Sequence, residues 1–134
     1  MNATTPKEIT LHKRSAILEL TYGDGTRLNF SAEFLRVHSP SAEVRGHGKN
    51  QETLQVGKRH VKLNNIKPVG NYAIKLIFDD GHDTGIFSWD YLKDLGRDQK
   101  KLWNDYLKKL ETEEKTRDPI PPGVQILKIK STTK

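Results

Sequence analysis

Two copies of one short pattern constrain what this chain can fold into. Asp79-Asp80-Gly81-His82-Asp83-Thr84-Gly85-Ile86-Phe87-Ser88-Trp89-Asp90-Tyr91-Leu92 combines an Asp-Gly turn, a short strand and the start of a helix. Asp80-Gly81 lies between the apolar run Ile74, Leu76, Ile77, Phe78 and the pair Ile86, Phe87. That arrangement predicts a hairpin, because glycine takes positive φ without steric cost. Ser88 is placed to accept hydrogen bonds from the first free N–H groups of a helix, and Asp90 suits the positive end of its dipole. Leu20-Thr21-Tyr22-Gly23-Asp24-Gly25-Thr26-Arg27-Leu28-Asn29-Phe30-Ser31-Ala32-Glu33-Phe34-Leu35 reads the same way. The run Phe30 to Leu35 matches Phe87 to Leu92 type for type, and the second copy has one extra residue, room that holds His82-Asp83. Two hairpin-to-helix units sharing one core are expected, and two copies are too few for a solenoid.

The rest of the chain fits around these units. Residues 1–8 read as a disordered start. Ile9 and Leu11, then Ala16, Leu18, Leu20 and Tyr22, alternate with polar residues, which predicts a strand, an interruption at His12-Lys13-Arg14-Ser15, and a strand. Thr26 to Phe30 returns antiparallel, and the helix from Ser31 stops before Pro40. From His38 to about Thr53 no period is visible, so a loop is expected there. Short apolar pieces resume at Leu54-Gln55-Val56, Val61, Leu63, Ile66 and Val69, and Asn71 to Phe78 reads as a strand. Gly96 fits a helix stop. Asp98 fits the cap of a second helix, whose Leu102, Trp103, Tyr106, Leu107 and Leu110 form an apolar stripe for packing on the sheet rather than for a cofactor. Pro119, Pro121, Pro122 and Gly123 bar a helix beyond it. Val124, Ile126, Leu127 and Ile129 suit either an edge strand or a flexible tail. The expected fold is a small α+β domain over 9–114: antiparallel hairpins, two short Ser-capped helices and a longer C-terminal helix. A basic, proline-containing tail at 115–134 follows.

With 134 residues the chain is long enough for one real core. Zero cysteines exclude disulfides, thiolate catalysis and self-contained cysteine-ligated metal sites. No apolar run approaches the roughly 20 residues that span a bilayer, and the N-terminus lacks an apolar signal region. A cytoplasmic protein with no membrane role is expected. The net charge of +6 is concentrated in the tail, where Lys115, Arg117, Lys128, Lys130 and Lys134 face Asp118 alone. Such tails are usually solvated, and no basic face with interleaved aromatics appears on the body. Nucleic-acid binding is therefore disfavoured and would be weak.

Catalytic patterns are missing. Ser, His and Asp residues occur without a nucleophile-elbow setting. Gly46-His47-Gly48 and Gly57-Lys58-Arg59 are basic and glycine-containing, but Gly57-Lys58 lacks the strand–loop–helix context and the glycine spacing of a phosphate loop. His38, His47, His60 and His82, with Asp79, Asp80 and Asp83, form a ligand pool that would suit zinc, iron or nickel, although no pair has diagnostic spacing.

Leu35-Arg36-Val37-His38-Ser39-Pro40-Ser41-Ala42-Glu43-Val44, then Val69-Gly70-Asn71-Tyr72-Ala73 and Asp80-Gly81-His82 through Trp89-Asp90-Tyr91-Leu92, resemble the gamma-butyrobetaine hydroxylase-like N-terminal domain family. This is a domain of unknown function, and the resemblance covers roughly residues 9–110, nearest to its stand-alone bacterial type. By resemblance, the domain also precedes iron- and 2-oxoglutarate-dependent hydroxylase domains and is fused to ATPases of iron–sulfur cluster assembly. The oxygenase itself needs a jelly-roll with an iron triad, which His82-Asp83-Thr84 does not provide. The resemblance implies a structural zinc held by three cysteines and a histidine. Here the cysteine positions fall on Ser39, Ser41 and Val44, and the histidine position on His82. Hydroxyl and isopropyl groups do not replace thiolates on zinc, so hydrogen bonds from the two serines are expected to hold this segment instead.

The reading is a non-catalytic binding or adaptor module without a required cofactor, working with an unidentified protein, a metalloenzyme or iron–sulfur assembly protein by analogy. Its expected surface comprises His38, Arg45, His47, Lys58, Arg59, His60 and Asp83. The alternatives are a zinc or iron site of His and Asp residues that keeps His82, and weak nucleic-acid binding through the tail.

Overall fold

The computed structural model describes residues 4–46, 52–127 and 129. Strands β1 (Glu8–His12), β2 (Ile17–Thr21) and β3 (Arg27–Ser31) form an antiparallel meander, followed by helix α1 (Ala32–Val37). After the four-residue helix α2 (Ala42–Arg45), the plan repeats: β4 (Leu63–Val69), β5 (Ala73–Phe78) and β6 (Ile86–Ser88) make a second antiparallel meander, followed by α3 (Trp89–Arg97). Helix α4 (Gln99–Thr112) completes the fold. The duplication therefore extends one strand further back than the hairpin-to-helix unit read from the sequence.

Register makes the two halves equivalent residue for residue. Ile17 pairs with Ser31 and Leu18 with Phe30, as Ala73 pairs with Ser88 and Ile74 with Phe87. Alternation then sends Leu18, Leu20 and Phe30 from one sheet, and Ile74, Leu76, Phe78 and Phe87 from the other, into a single core with Leu35 and Leu92. Fully burying each such side chain contributes about 1.5–3 kcal/mol. The turn glycines Gly25 and Gly81 take φ of 92° and 90°, as the two Asp-Gly turns require.

Both helix starts carry the expected cap. Ser31 Oγ accepts from Phe34 N at 3.0 Å and Ser88 Oγ from Tyr91 N at 3.0 Å. Ser31→Ala and Ser88→Ala are each expected to lower unfolding free energy by about 1 kcal/mol, read as matched drops in urea midpoint at constant slope.

Several local expectations are corrected. The 38–53 stretch holds a third serine-capped helix: Ser41 Oγ accepts from Glu43 N at 3.1 Å. Gly96 does not stop α3 but lies within it, where a side chain would stand 2.7 Å from Leu28 Cδ1. A glycine there lets α3 approach β3 closely. Asp98 precedes α4 without a side-chain cap bond, because its carboxylate is taken by Arg97 at 3.0 and 3.2 Å. On α4 the expected stripe divides: Leu102 and Trp103 pack on the core shared by the sheets, Tyr106 and Leu110 pack against Val37 and Leu54, and Leu107 turns outward. Of the two readings left open for Val124, Ile126, Leu127 and Ile129, the edge strand does not form: they join neither sheet, and all four are exposed.

Residues 116–118 lie against the body. Gly57 N donates to Thr116 O at 3.0 Å and Arg59 N to Arg117 O at 2.9 Å. Arg117 Nε and Nη2 each reach Glu33 at 2.7 Å, and Arg59 also pairs with Asp118. Among the described residues, no helix is long and apolar enough to cross a membrane.

Candidate functional site

The extra length in the second repeat does what a longer hairpin connection can do: it turns one side chain inward. His82 is 3% exposed at the foot of the β5–β6 connection, with its own carbonyl accepting from Phe78 N at 3.0 Å. Its Nε2 lies 2.8 Å from Ser39 Oγ, and its Nδ1 lies 2.9 Å from a carboxylate oxygen of Glu43 on α2. A carboxylate only accepts, so Nδ1 carries the proton and Nε2 accepts from the Ser39 hydroxyl. Burial, followed by the nearby Arg36 cation, lowers the His82 pKa and keeps the ring neutral, although Glu43 works in the opposite direction. Ser39 Oγ also accepts from Ser41 N at 3.3 Å, and Thr84 donates to Ser41 Oγ at 2.9 Å. The two serines thus tie the α1–α2 segment to the β5–β6 connection by hydrogen bonds, and Val44 is buried beside them.

A second layer holds the same connection from outside. Asp80 receives Arg36 Nε at 2.8 Å, Lys58 Nζ at 2.6 Å and the backbone N–H of His82 at 3.2 Å. Burial alone would raise its pKa, but these three donors outweigh burial and hold the carboxyl at about 2. Arg36 also donates to Gln55 at 2.9 Å, and the Gln55 carbonyl accepts from the Tyr106 hydroxyl at 2.7 Å.

The order Ser39–His82–Glu43 is that of a nucleophile, base and orienting carboxylate, but the site is shut. Ser39 is 0% exposed, and a side chain on Gly85 would overlap its hydroxyl. An acyl group must approach a nucleophile to about 3 Å, and here protein fills that position. Gly85→Ala is accordingly expected to destabilise by about 2 kcal/mol. Ser39→Ala in the same chain should restore part of that loss, since Ser39 Cβ would stand 3.6 Å from the added methyl. Urea denaturation of the single and double variants reads both.

The donor set also fails to fit the zinc implied by the resemblance. Two of its positions are hydroxyls, a third is an isopropyl group, and both His82 nitrogens are already engaged. The wider ligand pool does not gather either: among the described residues, no three His, Asp or Glu side chains meet around one point. Asp79 accepts from Lys62 N at 3.0 Å, and His38 turns back to its own helix, its Nδ1 donating to Phe34 O at 2.9 Å. Burial, the largest influence, lowers the His38 pKa. His47 lies outside the described residues.

The surface residues separate into groups. Lys58 and Arg59 are held by Asp80 and Asp118, and His60 is exposed on the turn before β4. Arg45 is exposed and rests on Tyr91, its guanidinium 5.8 Å from the ring centre and 3.1 Å from the hydroxyl. Asp83 is exposed beside buried His82. Sequence reading missed Glu43 and Arg36. The signal for Glu43 was its place two residues beyond the helix-capping Ser41.

Comparison with known proteins bears on this site. A family described as gamma-butyrobetaine hydroxylase-like, N-terminal, matches residues 9–93. Two proteins solved in solution by NMR are similar throughout. One is 49% identical with a TM-score of 0.77, covering 94% of this chain and 99% of its own; the other is 44% identical with a TM-score of 0.73, covering 96% and 98%. A crystal structure of a protein of unknown function of the DUF971 family, from Acidithiobacillus ferrooxidans, is 37% identical with a TM-score of 0.60, covering 72% of this chain and 98% of its own. No curated protein matches. The family match spans more than half of the residues, and the chain belongs to the gamma-butyrobetaine hydroxylase-like N-terminal family.

Proposed function

We propose that this chain is a non-catalytic binding module that docks onto another protein through the face carrying Arg45 and Asp83. The observation that supports this is the closure of the Ser39–His82–Glu43 cluster: its groups are spent on holding two loops together, with no room for a substrate. What those loops present outward is a guanidinium and a carboxylate, groups suited to recognition rather than chemistry. The family resemblance supports a metalloenzyme or iron–sulfur assembly protein as the partner.

The test has two arms. A photo-crosslinking residue at position 83 in the full chain should trap a discrete protein, and Arg45→Glu should abolish the adduct while leaving the thermal midpoint unchanged. Native mass spectrometry of untagged protein with zinc or ferrous iron, without oxygen, should show the bare chain mass. One ion per chain, lost in His82→Ala, would overturn the reading in favour of a metal site. Labelling of Ser39 by a fluorophosphonate would overturn it in favour of catalysis.

A further inference from the structure

The duplication supplies an internal comparison for the outward faces of the two sheets. In the first sheet, the central outward residue is Glu19, opposite Thr10 on one side and Asn29 on the other. Its carboxylate is engaged within the face, by a hydrogen-bonding contact with His12 at 3.0 Å and an ion pair with Arg27 at 3.6 Å. The equivalent row of the second sheet runs Lys67, Lys75, Ile86. Two lysines stand directly opposite each other across β4 and β5, and neither has an ion-pair or hydrogen-bond partner among the described residues. Directly opposed residues place their Cβ atoms about 4.5–5.5 Å apart, and like charges there are destabilising. Ile86 in the same row is 46% exposed, and the next outward row pairs Asn65 with Ile77. No carboxylate lies on these rows.

We infer that the outward face of β4–β5–β6 is a docking surface for an acidic protein segment that also carries apolar side chains, its carboxylates sitting between Lys67 and Lys75 and its apolar groups on Ile77 and Ile86. Charge complementarity selects this occupant. A second copy of the chain offers at the matching position only Glu19, which is already paired with Arg27. A nucleic-acid strand would find two isoleucines and no aromatic ring on these rows, whereas single strands bind by stacking. The inference rests on strand register alone and is independent of the Ser39 cluster.

The experiment is an NMR titration of the isotope-labelled full chain with a synthetic peptide of alternating glutamate and isoleucine. Expected are amide shifts centred on residues 65–67, 75–77 and 86, with affinity about tenfold weaker in Lys75→Glu. Lys67→Glu should weaken binding similarly while raising the thermal midpoint by about 2 °C, because it replaces a like-charge pair with an opposite one. A merely structural lysine pair would move the midpoint without moving the affinity. The inference is overturned if the shifts fall on Arg45, Asp83 or residues 115–127. It is also overturned if an all-glutamate peptide or a single-stranded oligonucleotide binds equally well, or if Lys75→Glu leaves affinity unchanged.

Discussion

Replacing His82 with alanine is expected to lower the unfolding free energy by about 3 kcal/mol, the largest effect of any single change in the cluster. Two terms add. The imidazole leaves a void in a packed interior, and Ser39 Oγ, at 0% exposure, loses its acceptor. Glu43→Ala should cost less than about 1 kcal/mol, because that carboxylate is 62% exposed and water replaces its bond. Urea denaturation of both variants checks the ranking, and equal losses would refute the account of a buried anchor with an exposed orienting group. A pH series adds a second reading. In the folded chain His82 is held below its ordinary value of 6.5, so the unfolded chain takes up the proton first. The stability from this group is complete above about pH 6.5 and is lost as pH falls toward the folded value. His38 has the same sign, so His82→Ala should flatten this dependence without abolishing it.

Arg117→Ala is the second large effect, at about 3 kcal/mol. Its guanidinium makes two bonds of 2.7 Å to Glu33 and lies 5.0 Å from the centre of the Trp103 ring. The Glu33 side chain is 7% exposed, so removing the cation strands a buried carboxylate, which costs far more than the pair itself contributes. A double change to Glu33→Met and Arg117→Met should therefore recover most of the loss. Denaturant midpoints of the single and double variants are the measurement. A loss below about 0.5 kcal/mol for the single change would mean that residue 117 is not pinned to α1.

Both large effects arise from contacts that no local signal in the sequence marks, and the reason is distance along the chain. Strand positions were legible from alternation, and the caps at Ser31 and Ser88 from a serine before an apolar run, because both signals are written within a few residues. Ser39 and His82 are 43 apart, Arg36 and Asp80 are 44 apart, and Glu33 and Arg117 are 84 apart. No local period marks such pairs. The resemblance brought Ser39 and His82 together by inheritance of position, but it assigned nothing to Glu43. Helix α2 is invisible to periodicity because four residues cannot show a helical period. At Gly96 the sequence signal is ambiguous, because a glycine that admits a neighbouring Leu28 and one that ends a helix look alike in sequence.

The residue-for-residue register of the two halves has a consequence for how such a chain diverges. Inward positions of both halves, Leu18 and Ile74 or Leu35 and Leu92, belong to one close-packed core, so a change of volume in either half is felt by the other. An outward position answers to nothing in the other half. Glu19 and Lys75 occupy the same place in the plan and carry opposite charge. A fold built twice over in this way keeps one interior and presents two exteriors of different charge, one whose central carboxylate is paired within its own sheet and one whose central lysines are not.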